Sequence, residues 1–479
     1  FALSATAVIG LVGLGTEGGL WVLTRRNAQD AADPAAYAGA VRLAYAQAAL
    51  GQSFASAKTQ AENTARDTVA RNQFPANQAW TDVEVNIPPV NGPNAGNNAA
   101  VEVIVRRTAP RLISSLFLTT NPTIGARGVA ALTNNGPACL LANPPAGGNV
   151  TGQLLFGGST NVQAPECLLA SNSPLSNAIN FTGNAATVNA EGFVSAGGCS
   201  GCNDTRVTTE RGVTIGMPTE NPLANRDGGL QSFVNSVGPF NSSSCAPAIF
   251  NITAEGIVIS PPPEGKAYCG TSFNNVPASS AAMPWIFDPG NSTACFCFYS
   301  SNTNQSQSAV SITSSGSVVI FRPGTYVFYN SSLNINGGTV NGTGVSFVFT
   351  GSQQGGSYQA GGPNIGANAT VHLSAPLDGQ GHPSPLLDGI LFYRDIRATN
   401  GNSQGNPVVN INGGPSVTLA GGMYFPNSYV KYSGSLDTNI CSVLVGGTIE
   451  MTGNSGLNVS NCQQFGSITP MTKIVRLVE

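Results

Sequence analysis

The first 23 residues are almost continuously apolar, and the polar sequence that follows contrasts with them. Residues 1–23 contain a single acid, Glu17, and the basic pair Arg25 and Arg26 comes soon after the apolar run. About 20 consecutive apolar residues are enough to cross the hydrocarbon core of a bilayer. The pattern therefore predicts a long hydrophobic N-terminal helix that spans a membrane.

Helix is predicted to continue beyond this apolar run. Residues 27–71 are rich in alanine and poor in glycine and β-branched residues, a composition that favours helix. Pro34 is expected to kink the helix, because a proline ring clashes with the preceding turn. A lone helix of about 70 residues would be roughly 105 Å long. We therefore expect it to pack along other helices or to break near Gly51.

The next segment alternates between apolar and polar positions. Residues 81–87 and 100–105 alternate as half-buried strands do, and the loop PPVNGPNAGNN between them predicts a hairpin. Half of the basic residues lie before residue 136, so the charge pattern changes there. These features predict a small β-rich module at residues 75–137, after a helical segment at residues 1–74.

The rest of the chain, residues 138–479, consists of short β-type runs such as SVVIF, GVSFVFT and GILFYRD. No helix-length periodic segment is evident among them. The pattern predicts a right-handed β-helix or similar solenoid, in which each coil buries apolar side chains against the next. A β-sandwich is the alternative. The sequence NINGG occurs at 334–338 and again at 410–414, which favours repeated coils. The predicted fold class is α+β.

The composition limits the function. Charged residues make up 9% of the chain, against about 25% in an ordinary soluble domain. The net charge of −3 gives no electrostatic reason to expect a nucleic-acid partner. Solubility in the large β region would depend on the abundant Asn, Ser and Thr side chains, as is typical of secreted β proteins.

The ten cysteines all lie in the β region and predict disulfides formed in an oxidising compartment. Cys199 and Cys202 have the spacing of half a zinc site, but no second CxxC follows and the two histidines are distant in sequence. The sequence fixes no pairing among them. The predicted disulfide residues are Cys139, Cys167, Cys199, Cys202, Cys245, Cys269, Cys295, Cys297, Cys441 and Cys462.

Glu17 is the main anomaly of the apolar segment. A carboxylate at membrane depth costs about 2.5–3.5 kcal/mol, so we expect a positive partner on another subunit or a position near the membrane interface. The many glycines around it favour close packing between helices. The residues predicted to pack between subunits are Phe1, Ala7, Gly10, Gly13, Glu17, Gly18, Arg25 and Arg26.

No catalytic residue, metal site or cofactor is predicted. His372 and His382 flank a Gly/Pro-rich loop close to Asp378, but two histidines in such a loop are more often structural than catalytic. An anchored enzyme that acts on surface glycans remains an alternative. Loss of activity on candidate glycans after mutation of His372 or Asp378 would support it.

The N-terminal sequence resembles a known family. The stretch from Phe1 to Arg26, with Glu17 in its second half, and the following NAQDAADPAA are similar to the start of TadG-like and TadE-like proteins of the Tad (tight adherence, Flp-type) pilus system. The family usually has Asp where this chain has Glu17, and Ala where it has Pro34. The segments RPGTY, NGTGV and GILFY are similar to parts of larger family members.

The resemblance implies a bacterial pilin-like protein whose precursor is held in the inner membrane. Trimming by a prepilin peptidase would make Phe1 the processed end, and the pilus assembly machinery would be a partner. On this basis we expect a subunit of an extracellular homopolymeric filament, with the N-terminal helices in its core. The alternative is a minor, membrane-anchored or tip component that acts as an adhesin, with surface glycans as partners.

Overall fold

The computed structural model describes two compact units. The helical unit contains Phe1–Asn135 and Lys473–Glu479, and the solenoid unit contains Gly136–Thr472. The predicted segments 1–74 and 75–137 thus fall almost entirely in one unit. The last residues of the predicted 138–479 domain belong to the helical unit instead, because the final strand returns to the first sheet.

The described residues are 2–48, 52–75, 78–116, 118–144, 150–182, 185–270, 273–290, 295–300, 308–379, 385–413, 416–433 and 440–479. Side chains of the first helix are described from residue 12 onward, residue 14 excepted. The α-helices are α1 (Ala2–Ala48), α2 (Phe54–Arg71) and α3 (Ala224–Val237). The short 3₁₀ turns are η1 (Ile113–Leu116), η2 (Ser242–Ser244), η3 (Pro385–Leu387) and η4 (Cys462–Phe465).

The strands of the first half of the chain are β1 (Thr81–Asn86), β2 (Ala100–Thr108), β3 (Thr123–Ala142), β4 (Leu154–Phe156), β5 (Asn161–Ser171), β6 (Ile179–Phe181), β7 (Thr187–Ser195), β8 (Cys199–Ser200), β9 (Val207–Thr209), β10 (Val213–Ile215), β11 (Cys245–Ala246), β12 (Phe250–Thr253), β13 (Gly256–Ile259), β14 (Ala267–Cys269), β15 (Phe273–Asn274) and β16 (Trp285–Phe287).

Those of the second half are β17 (Phe296–Tyr299), β18 (Ser308–Ile312), β19 (Val318–Phe321), β20 (Gly324–Tyr329), β21 (Ser332–Ile335), β22 (Thr339–Thr343), β23 (Val345–Gln354), β24 (Ser357–Ala360), β25 (Pro363–Ile365), β26 (Thr370–Ser374), β27 (Ile390–Arg394), β28 (Val409–Asn412), β29 (Val417–Ser433), β30 (Ser442–Met451), β31 (Asn454–Gly456) and β32 (Met471–Leu477).

The helical unit begins with two helices rather than one helix to Arg71. α1 continues through Pro34 to Ala48, and α2 begins at Phe54. Gly51, near which a break was expected, lies outside the described residues. Ser53 caps α2, because its side-chain oxygen accepts a hydrogen bond from a backbone N–H of the first turn. This cap explains why α2 begins at Phe54.

Small side chains let α1 pack closely on α2 and on the sheet. A Cβ atom built on Gly39 of α1 would lie 3.0 Å from Val101 Cγ1 on β2 and 3.3 Å from Ala65 Cβ on α2. The buried small residues of the two helices are Ala28, Ala31, Ala32, Ala35, Ala36, Ala40, Ala57, Ala61 and Ala65. Most side chains in this second part of α1 are therefore buried within its own chain, although Tyr37 remains 42% exposed.

The sheet of the helical unit is antiparallel. β1 pairs with β2, which confirms the predicted hairpin, and β3 pairs with β2 and with β32. The carboxylate of Glu102 on β2 is buried and accepts a hydrogen bond from Arg127 Nε at 2.5 Å. Burial opposes ionisation of Glu102, but hydrogen bonds from Asn86 and Arg127 hold its pKa below the ordinary value. Arg127 also pairs with Glu479, which fastens the C-terminus to this sheet.

In the solenoid unit, strands of successive coils pair in parallel and stack into three ladders. One ladder runs through β17, β20, β23 and β27, and a second through β18, β21, β25 and β28. The third runs through β16, β19, β22 and β26. This is the strand arrangement of a β-solenoid, and it differs from the packed antiparallel sheets of a typical sandwich. The right-handed winding stays a prediction.

Aromatic rings in register fill part of the solenoid interior. The ring of Phe298 stacks on that of Phe328 with centroids 4.8 Å apart, and Phe328 stacks on Phe349 at 5.2 Å. These three residues occupy matching positions of neighbouring coils and are fully buried. Each coil therefore places its apolar side chains against those of the next, as the sequence predicted.

The order of the coils along the stack differs from their order in the sequence. β30 pairs with β29 on one edge and with β3 and β4 on the other. From there the stack continues through β5 and β7 to β10. The chain thus enters the stack in its middle, winds to one end, crosses to the other end and winds back.

The crossing between the two ends contains α3, a helix that the sequence did not predict. Arg226 Nη1 donates to the carbonyl oxygen of Asp388 at 2.6 Å, and the Tyr424 hydroxyl donates to Asp227 at 2.8 Å. Two glycines within α3 lower its helix propensity, so local sequence gives a weak signal. The helix is stabilised by its contacts with the solenoid.

The structure pairs the ten cysteines in five disulfides. Cys139–Cys167 joins β3 to β5, and Cys245–Cys269 joins β11 to β14, so both link neighbouring coils. The other pairs are Cys199–Cys202, Cys295–Cys297 and Cys441–Cys462. Among the described residues no group of three or more His, Cys, Asp or Glu side chains could hold a metal ion.

Candidate assembly surface

Residues 12–23 form the first part of α1 whose side chains are described, residue 14 excepted, and most of their apolar side chains are exposed. We call these residues the front segment and residues 28–46 of α1 the rear segment. The exposed fractions are 61% for Val12, 51% for Leu20, 70% for Val22 and 53% for Leu23. A contiguous exposed apolar surface of this kind marks a site of interaction with another protein or a membrane.

The glycines of the front segment leave the helix backbone exposed, because they have no side chain to cover it. A Cβ atom built on Gly15, Gly18 or Gly19 would have no atom of the described chain within 4 Å. Each glycine lowers helix stability by about 1 kcal/mol relative to alanine, and no described residue fills the space beside these three glycines. Such positions allow the backbone of another helix to approach closely.

Gly13 differs from the other glycines of the front segment, because it is needed within the chain. A Cβ atom at Gly13 would lie 2.6 Å from Ile113 Cγ1, which belongs to η1. The absence of a side chain at this position lets the 3₁₀ turn rest directly on α1. Gly13 is thus explained by intramolecular packing.

Glu17 finds its hydrogen-bond partners in the same turn. Its side chain is 2% exposed, and its two oxygens accept hydrogen bonds from the backbone N–H of Leu112 at 3.0 Å and of Ser114 at 2.8 Å. The hydroxyl of Ser114 donates a third hydrogen bond. The sequence suggested a positive partner on another subunit, whereas these uncharged donors satisfy the carboxylate within one chain. A role for Glu17 between subunits stays a prediction.

The 3₁₀ turn extends the apolar surface beside the front segment. Leu112, Leu116 and Leu118 are all exposed, Leu116 to 77%. Together with residues 12–23 they form what we call the assembly surface. Sequence reasoning missed this part, although the apolar cluster in RLISSLFL lies outside any alternating strand and could have indicated it.

The remaining residues predicted to pack between subunits lie around this surface. Gly18 belongs to it, and Arg25 and Arg26 are exposed on the next turns of α1. Neither arginine forms an ion pair within the described part of the chain. Phe1 and the surroundings of Ala7 and Gly10 lie outside what the structure describes.

A membrane-spanning helix is not supported. Over the residues that the structure describes, none of the helices combines the length and the apolar character needed to cross a bilayer.

Of the three residues considered for acid–base chemistry, His372 and Asp378 lie in the described structure. His372 is exposed on the outer face of β26, and Asp378 is exposed in the loop that follows. No hydrogen bond or ion pair between described residues joins them. His382 lies outside the described residues.

One comparison with known proteins bears on the front segment. Residues 1–42 match the Tad family model, which covers Flp pilus-assembly TadE/G-like proteins. Comparison with curated proteins and with solved structures found no match. The matched range contains the whole front segment and part of the rear segment. The resemblance recognised in the sequence is therefore confirmed for the N-terminus: residues 1–42 are a TadE/G-like region associated with the Flp/Tad pilus system.

Proposed function

We propose that this chain is the structural subunit of an extracellular pilus-like filament of the Tad system. The front segments of neighbouring copies pack as the filament core, and the solenoid units are exposed outside it. The observation that carries the proposal is the exposed apolar surface of residues 12–23, which lies within the range matched by the TadE/G-like family.

The glycines of the front segment favour another helix as its partner. Helices with small residues at their contact can approach until backbone atoms touch. The exposed side chains of Val22 and Leu23 would pack against the open glycines of a neighbouring copy. Each subunit carries both the apolar side chains and the glycines that this contact needs. A polymer of identical chains therefore needs no second component to cover this surface.

The proposal includes a stage at the inner membrane before assembly. There the apolar N-terminal residues would be in contact with lipid, with Arg25 and Arg26 close to the headgroups. The prepilin peptidase and the pilus assembly machinery would act on this precursor. The five disulfides support a mature location outside the cytoplasm, because such bonds persist in oxidising compartments.

We propose no catalytic activity for the chain. The second candidate function is a minor or tip subunit that displays the solenoid as an adhesin. The size of the solenoid unit, Gly136–Thr472, favours this alternative. Packed helices lie about 8–10 Å apart. In a filament made of this subunit alone, every helix of the core would carry a solenoid unit, and these large units would have to fit side by side around a narrow core.

Electron microscopy of sheared surface filaments, with mass spectrometry of the same fraction, distinguishes the two functions. The main proposal predicts regular filaments in which this chain is the dominant protein. A trace amount in the filaments, or retention with the inner membrane, would contradict it and support the minor subunit.

A double variant, Leu20→Ser with Val22→Ser, tests the role of the assembly surface in the same assay. We expect it to abolish the filaments while the chain is still produced. The matched control is Leu175→Ser, which changes an exposed leucine of the solenoid unit. Normal filaments from the double variant would disprove the proposed packing.

A further inference from the structure

The repeated NINGG sequence is explained by a row of amide side chains on the outside of the solenoid. Strand register places Ser311, Asn334, Asn364 and Asn410 at the same position of four successive coils, on β18, β21, β25 and β28. Neighbouring coils are spaced by about 4.8 Å along this direction. The isoleucines that flank the asparagines point inward and are buried, so the amides face outward.

Hydrogen bonds between these side chains fix the geometry of the row. Asn334 Nδ2 donates to Ser311 Oγ at 3.0 Å, Asn364 Nδ2 donates to Asn334 Oδ1 at 2.8 Å, and Asn410 Nδ2 donates to Asn364 Oδ1 at 3.1 Å. Asn336, which is exposed beside the row, donates to the same oxygen of Asn334 at 2.7 Å. Ser311 is buried at the end of this series, and we call the four asparagines the amide row.

The amide row keeps unused hydrogen-bonding capacity. An asparagine amide has two N–H donors and an oxygen with two lone pairs. Asn364 uses one N–H and one lone pair within the row, and Asn410 uses one N–H. The amides therefore present a regular series of donors and acceptors at one-coil intervals on a surface that is held rigid.

The absence of net charge along the amide row limits the kinds of polymer that can bind to it. The row itself carries no charge, and the next positions in register are Lys431 and Glu450, which pair with each other at 3.8 Å. A charged polymer would lose hydration without gaining an opposite charge. A hydroxyl group can both donate and accept a hydrogen bond. A neutral polymer with regularly spaced hydroxyl groups therefore matches the unused N–H donors and oxygen acceptors of the amide row.

We propose that the amide row is a binding site for a neutral polysaccharide, whose chain lies across the coils along the solenoid axis. Successive sugar residues would place their hydroxyl groups against the amides of successive coils. The site gives the exposed solenoid unit a function of its own, independent of whether the chain is a major or a minor subunit.

Binding of the full-length chain to dextran, laminarin and heparin tests this proposal by isothermal titration calorimetry. We expect at least one of the two neutral glucans to bind and heparin not to bind. The double variant Asn364→Thr with Asn410→Thr replaces each amide by a hydroxyl and so removes the N–H donors at two successive coils. Its affinity for the bound glucan should fall by about tenfold, as the loss of two hydrogen bonds of ordinary strength predicts.

Asn341→Thr is the matched control, because it makes the same change on the outer face of β22, in a different ladder. Its affinity should equal that of the native chain. Three results would each overturn the proposal: binding to neither neutral glucan, equal losses in the double variant and in Asn341→Thr, or a preference for heparin. Circular dichroism of both variants verifies that the solenoid is folded.

Discussion

The front and rear segments belong to one helix and are both apolar, yet they have opposite surroundings. In the rear segment, side chains such as Ala36 and Leu43 are completely buried against α2 and the sheet. In the front segment, Val22 is 70% exposed and Gly19 faces open space. Apolar composition alone therefore does not distinguish the core of a subunit from an apolar surface that is left exposed.

Truncation of one leucine in each segment should give the largest difference between them. Leu43→Ala removes a buried side chain and should lower the free energy of unfolding by about 3 kcal/mol. Leu20→Ala changes an exposed residue and should change it by less than about 0.5 kcal/mol. Denaturant unfolding of the unassembled chain, followed by the helical signal, measures both. Equal losses would show that the front segment is packed within the subunit.

Substitution of one glycine in each segment should change stability in opposite directions. Gly39→Leu places a side chain against Val101 and Ala65 and should cost about 2 kcal/mol. Gly19→Leu meets no atom of the described chain and should gain up to about 1 kcal/mol from helix propensity. The same unfolding assay applies. A loss of stability in Gly19→Leu would contradict the open environment assigned to this position.

Acid should lower the free energy of unfolding of the helical unit, because Glu102 on β2 is ionised in the folded state. Its pKa is lowered in the folded state, so the native chain binds this proton less tightly than the unfolded chain does. The resulting stability is present above the ordinary glutamate pKa of about 4.3 and is lost as the pH falls below it. Melting temperatures between pH 6 and pH 3 measure the effect. Glu102→Gln should be less stable at pH 6 and show a smaller decline, whereas an unchanged pH dependence would refute this assignment.

Glu17 should affect only the turn that it holds against the front segment. Glu17→Ala removes the acceptor for the backbone N–H groups of Leu112 and Ser114. Hydrogen exchange at these two amides should become faster, while exchange in α2 is unchanged. Glu17→Gln keeps one acceptor oxygen and should give an intermediate rate. Faster exchange throughout α2 would mean that Glu17 supports the whole helical unit.

Much of the fold follows from local pattern. The alternation of apolar residues in β19, β20 and β22 predicted stacked coils, because each coil needs a neighbour to cover its inner face. The order of the coils could not be predicted in this way. β30 pairs with β3, about 300 residues earlier in the chain, and no local signal specifies which distant coil will cover an exposed edge.

The candidate site was predicted in part. The glycines and apolar residues of the front segment indicated a helix that packs closely with others. The partners of Glu17 could not be found from the sequence, because backbone N–H groups are present at every residue except proline. Only the fold brings those of Leu112 and Ser114 to the carboxylate.

The central claim is that the front segment is covered by other copies of the chain in the filament. The five disulfides use all ten native cysteines, so Val22→Cys and Ile252→Cys each introduce one reactive thiol at an exposed position. Polyethylene glycol maleimide is too large to enter a packed helical core. On intact filaments, the account predicts that Ile252→Cys is labelled and Val22→Cys is protected. Equally fast labelling of the two would contradict it.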